Sequence, residues 1–379
     1  MIDFDKLLKV VVDQDASDLF ITASLPPSIK VRGKMMPMSK TPLTPEQARE
    51  MVHSTMTEAQ VQEFEAEREC NFAIHSPVAG RFRVSAFYQR NFAGMVLRRI
   101  ETYIPSVDEL KLPDVVKQLA MTKRGLIIFV GATGTGKSTS LASMIGHRNA
   151  NSKGHIITIE DPIEFIHEHR GCMVTQREVG VDTPTFDVAL KNTLRQAPDV
   201  IMIGEVRTRE TMDYAMTFAE TGHLCLATLH ANNANQALDR VINFFPSDRH
   251  RQIWMDLSLN LRAMVAQQLL PTIDGLGRRA AIEVLINTPL VADLIRKGEV
   301  HTLKELMSKS NEQGMQTFDQ ALYKLYILGD ISYESALASA DSANDLRLLI
   351  KLAGDGPLIG SADQGFSLKE NDEDSRRRR

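Results

Sequence analysis

The sequence contains little cysteine, no long apolar run and no excess of positive charge, and each absence excludes a class of protein. Its 379 residues include 3 cysteines that lie far apart without a C-x-x-C pair, so we expect reduced thiols and neither a disulfide framework nor a zinc site. No apolar run approaches the ~20 residues of a membrane-spanning helix. The formal net charge is -4, which disfavours a protein that holds nucleic acid or an anionic membrane through a global basic field.

The composition that remains is that of a globular protein with more than one domain. Hydrophobic residues make up 43% and charged residues 24% of the chain, which suits a protein able to bury a full core. At ~100–200 residues per domain, the length favours two domains over one. The opening residues, MIDFDKLLKV, lack the basic and then apolar pattern of a secretory signal, so we expect a cytoplasmic protein.

The most informative stretch is the glycine-rich run GATGTGKS at residues 131–138. It fits the pattern G-x-x-x-x-G-K-[ST], in which backbone N–H groups and a helix N-terminus converge on phosphate oxygens. Lys137 is expected to reach the β- and γ-phosphates, and the Ser138 hydroxyl to ligate Mg²⁺. A chance glycine-rich turn is disfavoured because strand-type residues precede the run and a helix-prone segment follows it. The expected nucleotide-binding residues here are Gly131, Ala132, Thr133, Gly134, Thr135, Gly136, Lys137, Ser138 and Thr139.

Local patterns divide the chain into two structured parts. Residues 1–100 predict an α+β domain that includes a helix with Thr44 as its N-cap. Residues 101–116 contain two prolines and are expected to form a linker. Residues 117–353 alternate between strands and helices, which predicts an α/β fold with a largely parallel sheet.

The last third of the chain gives less regular signals. After Pro246 the pattern is mainly helical, apart from a strand predicted near residues 278–286. Residues 354–379 are rich in Gly, Ser, Asp and Glu and predict a disordered, charged tail. The four terminal arginines Arg376–Arg379 could dock a partner, but an unstructured charged end is the preferred interpretation.

Acidic and histidine residues follow the predicted strands of the second part. Asp161 and Glu164 follow one strand, Glu205 a second and His230 a third. Because the ligand of an open α/β sheet lies at the carboxyl ends of its strands, we expect these side chains to meet the P-loop. Glu205 suits Mg²⁺, and the run Glu160–Glu164 supplies three carboxylates to orient or deprotonate the attacking water. No arginine near the P-loop is an obvious partner for the leaving phosphate, so a neighbouring subunit could supply one.

Arginines of the first part share one face of a predicted strand. Arg81 and Arg83 alternate with apolar residues in the run 80–90, which has a period of two. On spacing alone, the preferred interpretation of these arginines and of Arg98 is the solvated face of a half-buried sheet.

Four segments together resemble a known family. GATGTGKST, ITIEDPIEF, LRQAPDVIMIGEVR and AETGHLCLATLHANNA look like the P-loop, aspartate box, Walker B region and histidine box of the secretion ATPases of type II secretion and type IV pili. The runs SDLFITASLPPSIKVRGKM, LRAMVAQQLLP and GMQTFDQAL are similar to the pilus-retraction branch, the PilT/PilU type. The altered helix VADLIRKGE, the Walker B variant GEVRTRET and the long charged tail resemble the PilU-type paralogue, an accessory retraction ATPase.

The resemblance implies a fold, an assembly and partners. A PAS-like N-terminal domain would precede a RecA-like P-loop ATPase domain, with nucleotide at their junction. The protein would form a homohexamer that hydrolyses ATP with Mg²⁺ and drives or assists pilus retraction. It would dock from the cytoplasm on the inner-membrane platform protein of the type IV pilus, together with a paralogous retraction ATPase. Contact with the membrane would be through these partners alone, and nucleic acid would not be bound.

The resemblance also implies roles for individual residues. Glu164 would be the general base, with Glu160 the weaker candidate, and Glu205 would organise Mg²⁺. His223 and His230 would sense or brace the nucleotide state, although a histidine at a strand end is often simply hydrogen-bonded. Further expected catalytic residues are Lys137 and the arginines that the N-terminal domain presents to the nucleotide, Arg81, Arg83 and Arg98.

Two other classes of function fit parts of the sequence. One is an ATP-binding accessory subunit with low activity alone that modulates a partner retraction ATPase, for which the altered helix VADLIRKGE leaves room. The other is a RecA-like nucleic-acid motor, which would need basic loops interleaved with aromatic residues. The loop expected at residues 167–180 carries charge but no aromatic residue, which disfavours the nucleic-acid motor.

Overall fold

Two β-sheets, each with its own hydrophobic core, organise the computed structural model, which describes residues 4–31, 33–100 and 102–353. The tail predicted at residues 354–379 lies outside the described residues. None of the helices in these ranges combines the length and the apolar character that crossing a bilayer requires.

The first sheet is antiparallel and belongs to the N-terminal part. Its elements are α1 (Phe4–Asp13), β1 (Asp18–Ile21), β2 (Ser28–Val31), β3 (Lys34–Pro37), α2 (Pro45–Ser54), α3 (Glu58–Glu67), β4 (Glu69–Ser76), β5 (Gly80–Gln89) and β6 (Phe92–Arg99). The described strands lie in the order β3-β2-β1-β6-β5-β4. Thr44 caps α2 as predicted, because its hydroxyl accepts from the Gln47 amide at 3.2 Å while the Gln47 side chain accepts from the Thr44 amide at 2.9 Å.

The segment expected as a linker packs on the second sheet. Val107, Leu112 and Val115 are buried in a hydrophobic cluster with strand residues of that sheet such as Phe129. Burial of these side chains ties the segment to the P-loop part of the chain. We therefore propose that the second domain begins near residue 102, after a first domain that ends near residue 100.

The second sheet carries the P-loop. Its strands are β7 (Gly125–Val130), β8 (Gly154–Glu160), β9 (Cys172–Glu178), β10 (Val200–Ile203), β11 (Leu224–Leu229), β12 (Leu261–Pro271) and β13 (Arg278–Ile286). The helices are α4 (Val115–Ala120), α5 (Lys137–Asn151), α6 (Phe186–Thr193), α7 (Arg209–Glu220), α8 (Ala234–Asn243), α9 (His250–Asn260), α10 (Pro289–Lys297), α11 (Leu303–Ser308), α12 (Phe318–Ile327), α13 (Tyr333–Ser339) and α14 (Ala343–Ala353).

The order of this sheet is β13-β12-β7-β11-β10-β8-β9, and every neighbouring pair is parallel except β12 with β13. Strand β7 is buried on both faces: Ile128 and Val130 lie in one hydrophobic cluster, and Ile127 and Phe129 lie in another. A strand covered on both faces is typical of a parallel sheet with helices on each side. The predicted α/β class, with a smaller α+β domain before a largely parallel sheet, is confirmed.

Two strands were not predicted from the sequence. Residues 167–180 were expected to form a loop, but Cys172–Glu178 is the edge strand β9, paired in parallel with β8. The chain after Pro246 was expected to be helical up to residue 278, but α9 ends at Asn260 and Leu261–Pro271 is β12. Helix-forming Leu, Met, Ala and Gln dominate β12, and its burial between β7 and β13 overrides that local preference.

Candidate nucleotide-binding site

The P-loop joins β7 to α5 and folds as a phosphate cradle. Gly134 and Gly136 take φ values of +79° and +83°, which L side chains rarely adopt, and α5 begins at the next residue, Lys137. The Lys137 ammonium is buried and donates to the carbonyl oxygens of Gly131 at 2.7 Å and Ala132 at 2.8 Å. The loop therefore brings backbone N–H groups, a helix N-terminus and an ammonium group to one place.

A cavity of about 260 Å³ opens beside this loop. Its polar wall comes from the P-loop, from the ends of strands β8, β10 and β11, and from the segments that follow these strands. The residues of that wall are Thr133, Gly134, Lys137, Ser138, Glu160, Asp161, Glu164, His167, Gly204, Glu205, Arg207, Thr228 and His230. The structure thus brings together the P-loop, the acids and His230, as the carboxyl-edge rule predicts.

Glu205 is held from two sides. Its Oε1 lies 3.0 Å from Nε2 of His230, and its Oε2 lies 2.7 Å from both Nε and Nη2 of Arg207. Arg207 also lies 3.9 Å from Asp161, which links the end of β10 to the segment after β8.

The two acids proposed as bases differ in their surroundings. Glu160 is buried, and its Oε1 accepts from the Thr158 hydroxyl at 2.6 Å and from Gln176 Nε2 at 3.2 Å. Burial raises the pKa of Glu160 to about 7. Glu164 is exposed on the cavity wall and is the carboxylate better placed to meet a water there.

Burial also lowers the basicity of two groups of the wall, Lys137 and His230. Desolvation lowers the pKa of Lys137, and the negative charges of Glu205 and Glu164 partly offset it. Desolvation, followed by the charge of Lys137, lowers the pKa of His230, so its imidazole is neutral near pH 7.

Outside the P-loop, four predicted residues do not reach this cavity in the chain. His223 precedes β11, whereas His230 follows it, so roughly 20 Å of strand separates the two. The His223 ring bonds Thr221 at 3.0 Å at the opposite edge of the sheet. Arg98 donates to the buried Asp18 at 2.8 Å within the N-terminal domain.

The other two arginines, Arg81 and Arg83, face the end of β9. They lie close enough to Glu178 for their charges to lower its pKa, against the larger raising effect of burial. Among the described residues, none before Thr133 lines this cavity, so its wall comes from the part of the chain that follows β7. The place of the nucleotide at the junction of the two domains stays a prediction.

Sequence reasoning missed two residues. Arg207 lines the cavity, although the sequence showed no arginine near the P-loop as an obvious partner for the leaving phosphate. Its position two residues after Glu205 could have indicated it. Gln267 of β12 was missed because β12 was missed. Its side chain is buried and bonds the P-loop carbonyl of Thr135 at 2.8 Å.

Fold and site together define a P-loop ATPase with a RecA-like core. The chain belongs to the family described as Type II/IV secretion system protein, which matches residues 2–324.

Individual relatives cover nearly the whole chain. It is 70% identical to the Type IV pilus ATPase PilU of Pseudomonas aeruginosa over 379 residues, which is 100% of this chain and 99% of that one. It is 40% identical to the Type IV pilus retractation ATPase PilT of the same organism, over 89% of this chain and 98% of that one. Among solved structures, that of the pilus retraction motor PilT with bound ADP superimposes with a TM-score of 0.86 at 39% identity, covering 92% of this chain and 100% of the other.

Proposed function

We propose that this chain is an ATPase motor that drives or assists the retraction of type IV pili. The observation that carries the proposal is one cavity in which Lys137 and Ser138 of the P-loop face Glu164 and Glu205. Phosphoryl transfer requires these groups: a phosphate cradle, a metal-organising carboxylate and a carboxylate for the attacking water. The similarity to two pilus ATPases over most of the chain supports the pilus as the machine that this hydrolysis serves.

The oxygen donors of the cavity fit Mg²⁺. The Ser138 hydroxyl and the Glu205 carboxylate both lie on its wall. No group of three or more His, Cys, Asp or Glu side chains that could hold a metal occurs in the described part of the chain. Mg²⁺ does not need such a cage, because it commonly takes one or two protein oxygens together with phosphates and waters. When bound, it would neutralise charge on the β- and γ-phosphates.

The remaining residues of the wall have distinct proposed roles. Lys137 binds the β- and γ-phosphates, and Glu164 orients or deprotonates the attacking water. His230, whose Nε2 lies 3.0 Å from Oε1 of Glu205, restricts the orientation of that carboxylate. Arg207 supplies a second positive charge beside Lys137, which suits charge that develops on the leaving phosphate.

We further propose that the protein works as a homohexameric ring. Arg81, Arg83 and Arg98 lie outside the cavity, so their predicted role at the nucleotide requires either movement of the N-terminal domain or a neighbouring subunit. His223 lies at the start of β11 in the same sheet as the P-loop, so its predicted role at a nucleotide would require a neighbouring subunit. The two domains would close when ATP binds and reopen after hydrolysis. The difference in nucleotide affinity between the closed and open states would drive this motion.

The proposed place of work is the cytoplasmic face of the inner membrane, on the platform protein of the pilus and beside a paralogous retraction ATPase. A second candidate function is an accessory subunit with low ATPase activity alone. The helix VADLIRKGE, which departs from the usual pattern of the retraction ATPases, is the feature that keeps this candidate open.

The first test is ATP turnover by the purified full chain and by Lys137→Ala. We expect the parent to hydrolyse ATP and the variant to lose at least about a hundredfold in kcat while it keeps its thermal stability. Parental turnover in Lys137→Ala would refute this site. The same assay with and without a PilT-type partner separates the motor from the accessory subunit, since the accessory subunit would turn over appreciably only with the partner.

A further inference from the structure

Strand β12 lies so close to the P-loop that two glycine positions of the loop, 131 and 136, have no room for a side chain. A β-carbon added to Gly131 would lie 2.7 Å from the carbonyl oxygen of Gln267, and one added to Gly136 would lie 2.8 Å from its Nε2. Contacts under 3.0 Å are not tolerated by real β-carbons. The two glycines therefore serve close packing against Gln267 as well as backbone conformation.

The Gln267 side chain uses both ends of its amide. Its Nε2 donates to the carbonyl oxygen of Thr135 at 2.8 Å, and its Oε1 accepts from the hydroxyl of Ser140 at 2.8 Å. Gln267 is 2% exposed, so water does not replace these partners. One buried amide thus joins the phosphate loop to the first turn of α5.

We infer that Gln267 is a positioning residue for nucleotide binding: its amide fixes the P-loop on α5 in the conformation whose N–H groups receive the phosphates. This inference rests on the proposed function. It adds that the C-terminal strand β12, and not only β7 and α5, sets the shape of the phosphate cradle.

The chemistry explains why an amide is needed. A glutamine is at once a donor and an acceptor, whereas methionine has a similar volume but no donor and only a weakly accepting sulfur. Gln267→Met would leave the Thr135 carbonyl and the Ser140 hydroxyl without their buried partner. Restoring their hydrogen bonds would require the loop to shift, and the backbone N–H groups would shift with it.

The neighbouring residue provides a matched control. Gln268 is half-buried, pairs with Ala281 of β13 and points to the opposite face of the strand. Gln268→Met makes the same chemical change one residue away and does not touch the P-loop.

The experiment measures ADP affinity and ATP turnover in the full-length parent, Gln267→Met, Gln268→Met, Ser140→Ala and the double variant Gln267→Met/Ser140→Ala. Because the cradle holds phosphate in ground state and transition state alike, Gln267→Met should raise the Kd for ADP and the KM for ATP about tenfold and change kcat less. Gln268→Met should stay within about twofold of the parent. The fold-loss of ADP affinity in the double variant should be smaller than the product of the fold-losses in the two single variants, since the two side chains share one hydrogen bond.

The outcomes separate this inference from the proposed function. If the parent binds ADP and Gln267→Met binds it within about twofold as well, the positioning role is wrong while the ATPase proposal stands. If the parent binds no nucleotide, the ATPase proposal fails and the inference fails with it. Should Gln267→Met not fold, the inference is tested with Ser140→Ala instead. Removing that hydroxyl is expected to weaken ADP binding about threefold. An ADP affinity equal to that of the parent would overturn the inference.

Discussion

The Nε2 atom of His230 lies 3.0 Å from Oε1 of Glu205, at the end of β11 and the end of β10 respectively. The second oxygen of Glu205 is held at 2.7 Å by Arg207. Because His230 and Arg207 contact the two oxygens of one carboxylate, its orientation in the cavity is restricted before any ligand arrives. The predictions below follow from this arrangement and from the cores that support it.

Arg207 is predicted to contribute positive charge to the reaction and to orient Glu205. Arg207→Ala should lower kcat at least about tenfold, because arginines that neutralise transferring phosphates contribute strongly to phosphoryl transfer. Arg209→Ala is the matched control, since Arg209 pairs at 3.6 Å with Asp213 on α7 and does not line the cavity. Steady-state ATPase kinetics check this, and equal effects of the two substitutions would contradict it.

Glu164 is predicted to act on the attacking water. Glu164→Gln keeps the shape of the side chain but removes its basicity, so kcat should fall by about 10²–10⁴ while ADP affinity stays near the parental value. The control is Glu168→Gln, an exposed carboxylate four residues on that lies outside the cavity. If kcat fell more in Glu160→Gln than in Glu164→Gln, Glu160 and not Glu164 would be assigned as the base that acts on the water.

Glu283 is predicted to make stability depend on pH. It lies buried on β13, and its Oε1 accepts from the Ala234 amide at 2.8 Å where α8 begins. Burial raises the pKa of Glu283 from 4.5 to about 7, with Asp341 adding to the rise and Lys304 opposing it. The folded protein therefore binds more protons than the unfolded chain between these values. The stability contributed by this group is present at low pH and is lost as the pH rises through about 7.

The variant Glu283→Gln should accordingly show a smaller fall in the free energy of unfolding between pH 5 and pH 8 than the parent, measured by denaturant titration at each pH. Glu305→Gln is the control, because Glu305 lies exposed on α11 in an ion pair with Lys309. An unchanged pH slope in Glu283→Gln would show that the buried carboxyl does not titrate in this window.

The segment after the first domain is predicted to stabilise the second. Leu112 is buried in the core under β7, so Leu112→Ala should lower the free energy of unfolding by about 2–4 kcal/mol. Leu276→Ala makes the same substitution at a side chain that is 90% exposed and should stay within about 0.5 kcal/mol of the parent. Similar effects in the two variants, by denaturant unfolding, would mean that residues 102–116 behave as a linker.

The sequence predicts the P-loop and the acids beside it well, because two general rules apply to this part of the chain. The P-loop spacing fixes a strand, a loop and a helix within a few residues of one another. The alternation of strands and helices then places Glu205 and His230 at the same edge of the sheet. Both rules can be applied to local sequence patterns, although the sheet edge itself forms from β7, β11 and β10, which are distant in sequence.

The sequence predicts less accurately the elements whose conformation depends on tertiary contacts. Strand β12 carries helix-forming residues and is a strand only because β7 and β13 flank it. Gln267 could have been noticed as a polar side chain within an apolar run, since a buried amide implies a specific hydrogen bond. His223 was grouped with His230 by its motif, although the six residues of β11 between them place them at opposite edges of the sheet.

The most direct test of the account is a structure of the full chain with Mg²⁺ and a non-hydrolysable ATP analogue. We predict that the phosphates lie against residues 131–138, with the ion beside the Ser138 hydroxyl and Glu164 facing the γ-phosphate. A nucleotide bound elsewhere, with Lys137 and Glu205 making no approach to its phosphates, would contradict the account.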